Sequence, residues 1–287
     1  MVVNAAEQTT VRIDAHQHFW IYNRRDYTWM SEKMDLLRRD YLPPDLAPLL
    51  ARPEITSTIA VQARQSVEET EWLLQLADQT PFIRGVVGWV DLLSPRLDEQ
   101  LEKFSQHPRL VGVRHVVHDE PDDRFMARDD FLRGVGRLRK LGLTYDLLLF
   151  PRHLSLACEV VQRFPDQPFV LDHISKPLIK DHQIEPWASD LRRLAQFDNV
   201  FCKISGMVTE ADWNRWQAAD LTPYLDIVLE CFGTKRLMVG SDWPVCTLAG
   251  RYETVLGVTA DYLAQLSSPE QADIWHYNAE RFYRIQL

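Results

Sequence analysis

Eight short apolar runs, each followed by a stretch of helical periodicity, constrain this chain more than any other feature. The runs are Val11–Trp20, Thr56–Ala63, Ile83–Leu92, Leu110–Val116, Leu143–Phe150, Pro168–Ile174, Val200–Gly206 and Arg236–Trp243. Helical patterning follows over Val67–Gln79, Pro95–Gln106, Asp130–Leu141, Pro151–Phe164, Pro186–Phe197, Asp212–Cys231, Tyr252–Leu266 and Pro269–Tyr283. Strands that are apolar on both faces belong in a parallel sheet covered by helices, and eight such units at a spacing of roughly thirty residues close into a barrel. An open, doubly wound sheet is the competing arrangement, but no glycine-rich turn follows the first run. The fold expected is α/β, a single (β/α)8 barrel over residues 11–287, preceded by a disordered tail over residues 1–10. The connection from Ile21 to Leu42 is long and carries Tyr22, Tyr27, Trp29, Met34 and Tyr41, as a lid over a site would.

In a barrel of this kind the site lies at the C-terminal ends of the strands, so the polar residues closing each run form a candidate set. They are His16 and His18, Gln62, Asp91, Arg114 and His115, Asp146, His173, Lys203 and Ser205, and Asp242. His16 and His18 are two apart on a strand, so their imidazoles leave one face. Such rings bind divalent transition metals or move protons near neutral pH. Each candidate alone has an ordinary reading: two hydrogen-bonded histidines, an aspartate capping the next helix, a solvated arginine or lysine. Their convergence on one rim is what argues for a site.

Composition removes several classes of function. A formal net charge of −9 with dispersed lysine and arginine argues against a nucleic-acid partner. No apolar run is long enough for a membrane span, and the first residues lack the basic and apolar regions of a secretory signal. The four cysteines, Cys158, Cys202, Cys231 and Cys246, are widely spaced and read as reduced thiols, which places the chain in the cytoplasm. The partner expected is a small molecule; the sequence leaves the oligomeric state open.

The pair H-x-H closing the first run, His173 closing the sixth and Asp242 in G-S-D-W-P closing the eighth resemble the amidohydrolase superfamily. The wider wording, A-H-Q-H-F-W, R-R-D-Y-L-P-P-D-L, G-V-V-G-W-V-D-L, G-V-R-H, L-D-H-I-S-K-P and K-I-S-G-M, is similar to its sugar-lactonase branch, the L-fuconolactonase and L-rhamnonolactonase-like enzymes. This resemblance runs from about Val11 to the C-terminus. It implies a hydrolase that opens a sugar lactone to the sugar acid. Asp242 would be the base for water, and His16, His18 and His173 would hold the water and the carbonyl oxygen. Arg114 or His115 would meet the oxyanion. Substrate contacts fall to His115, His118, Gln62 and Trp29, with Tyr27 and Trp89 as further candidates for the sugar face. Metal-dependent relatives carry lysine or glutamate at the end of strand four and histidine at the end of strand five, where this chain has Arg114, His115 and Asp146. His16, His18 and Asp242, joined at most by His173, remain to hold one divalent ion such as zinc, and the expectation is a reaction that requires no cofactor. The alternatives are a metal-dependent amidohydrolase or decarboxylase of the same superfamily, and a non-catalytic barrel that binds a sugar acid.

Overall fold

In the computed structural model, which describes residues 11–286, all eight apolar runs become strands. They are β1 (Arg12–Gln17), β2 (Ile55–Val61), β3 (Ile83–Gly88), β4 (Leu110–His115), β5 (Thr144–Leu147), β6 (Phe169–Leu171), β7 (Val200–Ile204) and β8 (Leu237–Val239). They pair in parallel and in chain order. Between β8 and β1 the circle closes through a Gln17–Trp243 bridge, where the His18 N–H donates to the Trp243 carbonyl (2.6 Å) and the Asp242 N–H to the His16 carbonyl (2.8 Å). The segment 1–10, expected to be a disordered tail, lies outside the described residues. Several strands are shorter than their apolar runs, because the last residues of a run leave the ladder to turn over the rim. His173 and Asp242 both stand on such turns.

The helices are α1 (Pro43–Leu46), α2 (Val67–Gln79), α3 (Leu97–Ser105), α4 (Asp129–Leu138), α5 (Leu154–Arg163), α6 (Trp187–Leu194), α7 (Met207–Glu210), α8 (Ala218–Phe232), α9 (Tyr252–Leu263), α10 (Ser268–Ala272) and α11 (Asn278–Tyr283). Two cores result. The larger lies between barrel and helices; the smaller fills the barrel's lower interior with Ile13, Ile59, Val87, Val170 and Met238, plugged from below by Phe282 and Tyr283 of α11. Asp14 clamps the seam between first and last strands. Its carboxylate accepts from the Ser241 N–H (2.8 Å), Ser241 Oγ (2.6 Å), the His16 N–H (3.1 Å) and the Tyr252 hydroxyl of α9 (3.0 Å).

Two register slips decide which side chains reach the axis. Between Asp14 and Gln17, β1 spends three residues where β2 spends two, and β4 carries one residue more than β3 between Leu110 and Gly112. An extra residue reverses the inside–outside alternation. Beyond the slip in β1, His16 and His18 face inward while Gln17 turns out to Thr58 Oγ1 (3.1 Å). Beyond that in β4, Arg114 faces inward and His115 turns out, stacked on Phe125 and edge-on to Phe131.

Among the described residues no helix is long and apolar enough to cross a membrane. The connection after β1 folds over the rim as expected. Tyr27 donates to Glu69 of α2 (3.1 Å), whose other oxygen accepts from the Ala63 and Arg64 N–H groups (both 2.9 Å). Trp29 Nε1 donates to the Ala63 carbonyl (3.1 Å), and Arg64 pairs with Asp26.

Candidate active site

A cavity of about 760 Å³ opens over the C-terminal ends of the strands, with His18, Arg114, His173 and Asp242 at its base. Two glycines let these residues approach. A Cβ on Gly240 would stand 2.5 Å from the His16 Cβ, and one on Gly206, at φ 61°, 2.5 Å from the His173 Nδ1, so both positions exclude a side chain. His173 is further fixed by Ser205 Oγ (2.8 Å from Nδ1).

Beneath the base lies a layer of buried charge. Lys203 Nζ donates to Asp146 Oδ2 (2.6 Å) and stands 3.0 Å from Asp172 Oδ1, while Tyr283 donates to Asp146 Oδ2 from below (2.9 Å). Arg114 Nη1 donates to Asp172 Oδ2 (3.0 Å) and His16 Nε2 (3.3 Å), and Nη2 to the Gln62 carbonyl. Burial pushes the Asp172 pKa upward, but the charge of Lys203, aided by His16 and Arg114, outweighs it and holds the carboxyl well below its ordinary value. His16 and His173 are lowered well below the ordinary imidazole value by burial first, so both rings are neutral near pH 7.

The partners then constrain the tautomers. Arginine only donates, so His16 Nε2 accepts from Arg114, while Nδ1 lies between Asp172 Oδ1 (3.3 Å) and the Lys203 ammonium (3.2 Å). His18 Nδ1 lies 2.7 Å from the Val61 carbonyl, which only accepts, so in the neutral ring its Nε2 also carries a lone pair. The two Nε2 atoms are 3.2 Å apart, and Asp242 Oδ1 lies 3.2 Å from that of His18 and 4.0 Å from that of His16. Three acceptors facing one point repel one another unless a proton or cation lies among them. The donor set fits a divalent ion, with Asp172 behind His16 as the orienting carboxylate. A second cluster, His16, Asp172 and His173, differs in that the Lys203 ammonium already stands against its first two members.

Of the residues anticipated from sequence, His18, His173, Asp242, Arg114, Trp29 and His118 line the cavity, and His16 lies directly beneath it. His118 stacks on Phe150, and its pKa is lowered to about 3, by burial first and then by the Lys176 and Arg114 charges. Four of the anticipated substrate contacts lie outside the cavity lining and need correction. His115 is outside the cavity, its Nε2 on Glu120 (2.7 Å) and its Nδ1 accepting from Trp89 (3.3 Å), because the slip in β4 turns it outward; Arg114 alone of that pair faces the cavity. Gln62 is buried below the cavity and serves through its main-chain carbonyl, which anchors Arg114. Tyr27 and Trp89 likewise support neighbours from outside the cavity. Asp91 has the ordinary role of accepting from the Leu93 N–H in a turn (3.1 Å). Sequence reasoning missed Asp172, Lys176 and Glu210, although L-D-H-I-S-K-P contains the first two.

Residues 13–285 match the amidohydrolase family. The chain is 42% identical to an L-fucono-1,5-lactonase of Burkholderia multivorans and 37% identical to one of Burkholderia ambifaria, with 96% of each chain covered in both cases. A crystal structure of an amidohydrolase from Burkholderia multivorans with bound zinc superposes with a TM-score of 0.92 at 41% identity, covering 96% of this chain and all of that one. The barrel, its rim histidines and aspartate, and a match across nearly the whole sequence agree: this chain belongs to the amidohydrolase family.

Proposed function

We propose that the chain hydrolyses a six-membered aldonolactone of the L-fucono-1,5-lactone type to the open sugar acid. The observation that carries this reading is Asp242. Its carboxylate lies at the base of a cavity sized for a small molecule, between the imidazoles of His18 and His173 and an arginine aimed at the same space. Two relatives sharing over a third of the sequence and named for that activity support the substrate class.

In this reading Asp242 accepts the proton of a water as its oxygen attacks the lactone carbonyl carbon. His18 and His173 hold that water, and His16, fixed by Asp172, keeps the pair of Nε2 atoms in register. The negative charge that develops on the carbonyl oxygen meets Arg114, whose guanidinium is immobilised by Asp172 and the Gln62 carbonyl, so little reorganisation accompanies the reaction. Trp29 and His118 flank the sugar. A divalent ion held by His16, His18 and Asp242 would add Lewis-acid polarisation of the water and the carbonyl.

The test is a pH-indicator assay over a panel of aldonolactones and simple esters, with spontaneous hydrolysis subtracted and the product acid identified by NMR. Saturable turnover of L-fucono-1,5-lactone is expected. Absence of turnover across all aldonolactones would overturn the assignment.

A further inference from the structure

The turn after β6 holds the longest run of left-handed backbone among the described residues. His173, Ile174, Ser175 and Lys176 have φ values of 54°, 47°, 65° and 51°, four consecutive left-handed residues with no glycine among them. Left-handed φ is unfavourable for residues with a Cβ, and most so for a β-branched side chain such as Ile174. The surroundings hold the turn in place: the Lys176 N–H donates to the His173 carbonyl (2.7 Å), and Trp187 Nε1 donates to the Ile174 carbonyl (2.7 Å). Strain of this kind is retained where it sets up a site. Here it brings His173 and Lys176, three residues apart, onto the wall of one cavity. Lys176 Nζ donates to Glu210 Oε1 (2.7 Å) at the end of α7, and both side chains are largely covered. An ammonium has three donors, so two remain for the cavity.

We propose that Lys176 is a catalytic residue that protonates the leaving ring oxygen of the lactone, with Glu210 as its positioning residue. The proposal rests on the lactonase reading. That reading supplies a base for the water but no acid for the alkoxide that departs. In the second half of the reaction the bond between the acyl carbon and the ring oxygen breaks, and its electron pair goes to that oxygen, which takes a proton from the Lys176 ammonium. The lysine is left as the amine and regains a proton from the one Asp242 took from water, relayed through solvent. The new carboxylic acid releases the remaining proton, so water and lactone give a hydroxy carboxylate and one proton.

The test uses the full chain with L-fucono-1,5-lactone as probe, and the variants Lys176→Ala and Lys176→Met, with circular dichroism and thermal unfolding as checks on the fold. Both variants should lose about 100-fold or more in kcat, in the range of a lost general acid, while KM changes little. Added ethylammonium should restore turnover to Lys176→Ala in proportion to its concentration, and tetramethylammonium, which has charge but no transferable proton, should not. A folded variant whose kcat is unchanged while KM rises would make Lys176 a substrate-binding group and overturn the proposal. Lack of rescue by ethylammonium, or equal rescue by both cations, would do the same. If the unaltered chain hydrolyses no aldonolactone, the underlying reading fails instead, and the two failures are distinct.

Discussion

Replacing Asp242 with asparagine tests the proposed chemistry with the least disturbance of the structure. Asp242 has φ 58°, a left-handed value that asparagine tolerates as aspartate does, and its main chain is held by the bonds to His16 and Cys246, which the substitution leaves alone. The fold should therefore survive. What disappears is the proton acceptor. Of the other carboxylates, Asp172 beneath the base is paired with Arg114 and Lys203 and held well below its ordinary pKa, and those lining the cavity are engaged, Glu210 by Lys176, Asp119 by His118 and Asp26 by Arg64, so none is free to take over. A lost general base costs about 10²–10⁴ in rate, and with no substitute nearby the upper half of that range applies, on the order of 10³-fold or about 4 kcal/mol of transition-state stabilisation. The effect should fall on kcat, with KM near that of the unaltered enzyme. Initial rates from a pH-indicator assay, set beside thermal unfolding of both proteins, give the answer. A folded Asp242→Asn variant retaining turnover within about tenfold would refute Asp242 as the base.

Three further outcomes follow from the same geometry. Arg114→Lys should lower kcat/KM by about tenfold or more, because the single nitrogen of an ammonium cannot reproduce the planar fork whose Nη1 reaches Asp172 and His16 while Nη2 reaches the Gln62 carbonyl; unchanged efficiency would make Arg114 merely structural. Prolonged treatment with a strong chelator should leave lactone hydrolysis within about threefold, and added zinc should not raise it, since Arg114 and Lys203 already bring fixed positive charge against His16; metal content that tracks activity on removal and return would overturn this. Glu69, between the lid and α2, has its pKa raised from 4.5 to about 7, chiefly by burial against the opposing backbone hydrogen bonds. A carboxyl raised in the folded state contributes stability that is fully present below 4.5 and lost as pH rises through about 7. Glu69→Gln, which keeps an oxygen for the Ala63 and Arg64 N–H groups, should remove up to about 3 kcal/mol of that pH dependence, so parallel unfolding curves for both proteins from pH 5 to 8 would refute it.

The barrel was legible because each strand is an uninterrupted apolar run and each connection carries a helix pattern. His16, His18, His173 and Asp242 were legible because strand ends are where polar residues have no packing reason to gather. Arg114 and His115 could not be told apart, since a two-residue period assigns faces only until an extra residue enters the ladder, and the slip between Leu110 and Gly112 leaves no mark in composition. Gln62 misled because the functional atom is a main-chain carbonyl, which every residue owns. Asp172 and Lys176 were missed for another reason. On a regular strand Asp172 and His173 would point to opposite faces, and Lys176 would be a solvated loop lysine. The left-handed turn breaks both assumptions, and nothing in I-S-K announces it, because the residue that usually does so is glycine.

That turn also bears on whether the barrel catalyses or merely binds. His173, Ile174, Ser175, Lys176 and Asp242 all hold positive φ at one rim, each at a cost on the order of 1 kcal/mol or more. Below them two carboxylates, Asp146 and Asp172, and two cations, Lys203 and Arg114, are buried in one chain of ion pairs, an arrangement whose desolvation cost is seldom repaid in stability. A receptor for a sugar acid could present its hydrogen bonds from relaxed loops, and placing the Asp242 carboxylate at the base of the cavity would repel the ligand's own carboxylate. A hydrolase gains from the same features. Its substrate is the neutral lactone, its base must stay ionised until water arrives, and its product carries the charge that Asp242 repels. The strain and the buried ions therefore favour turnover and product release over retention of the acid.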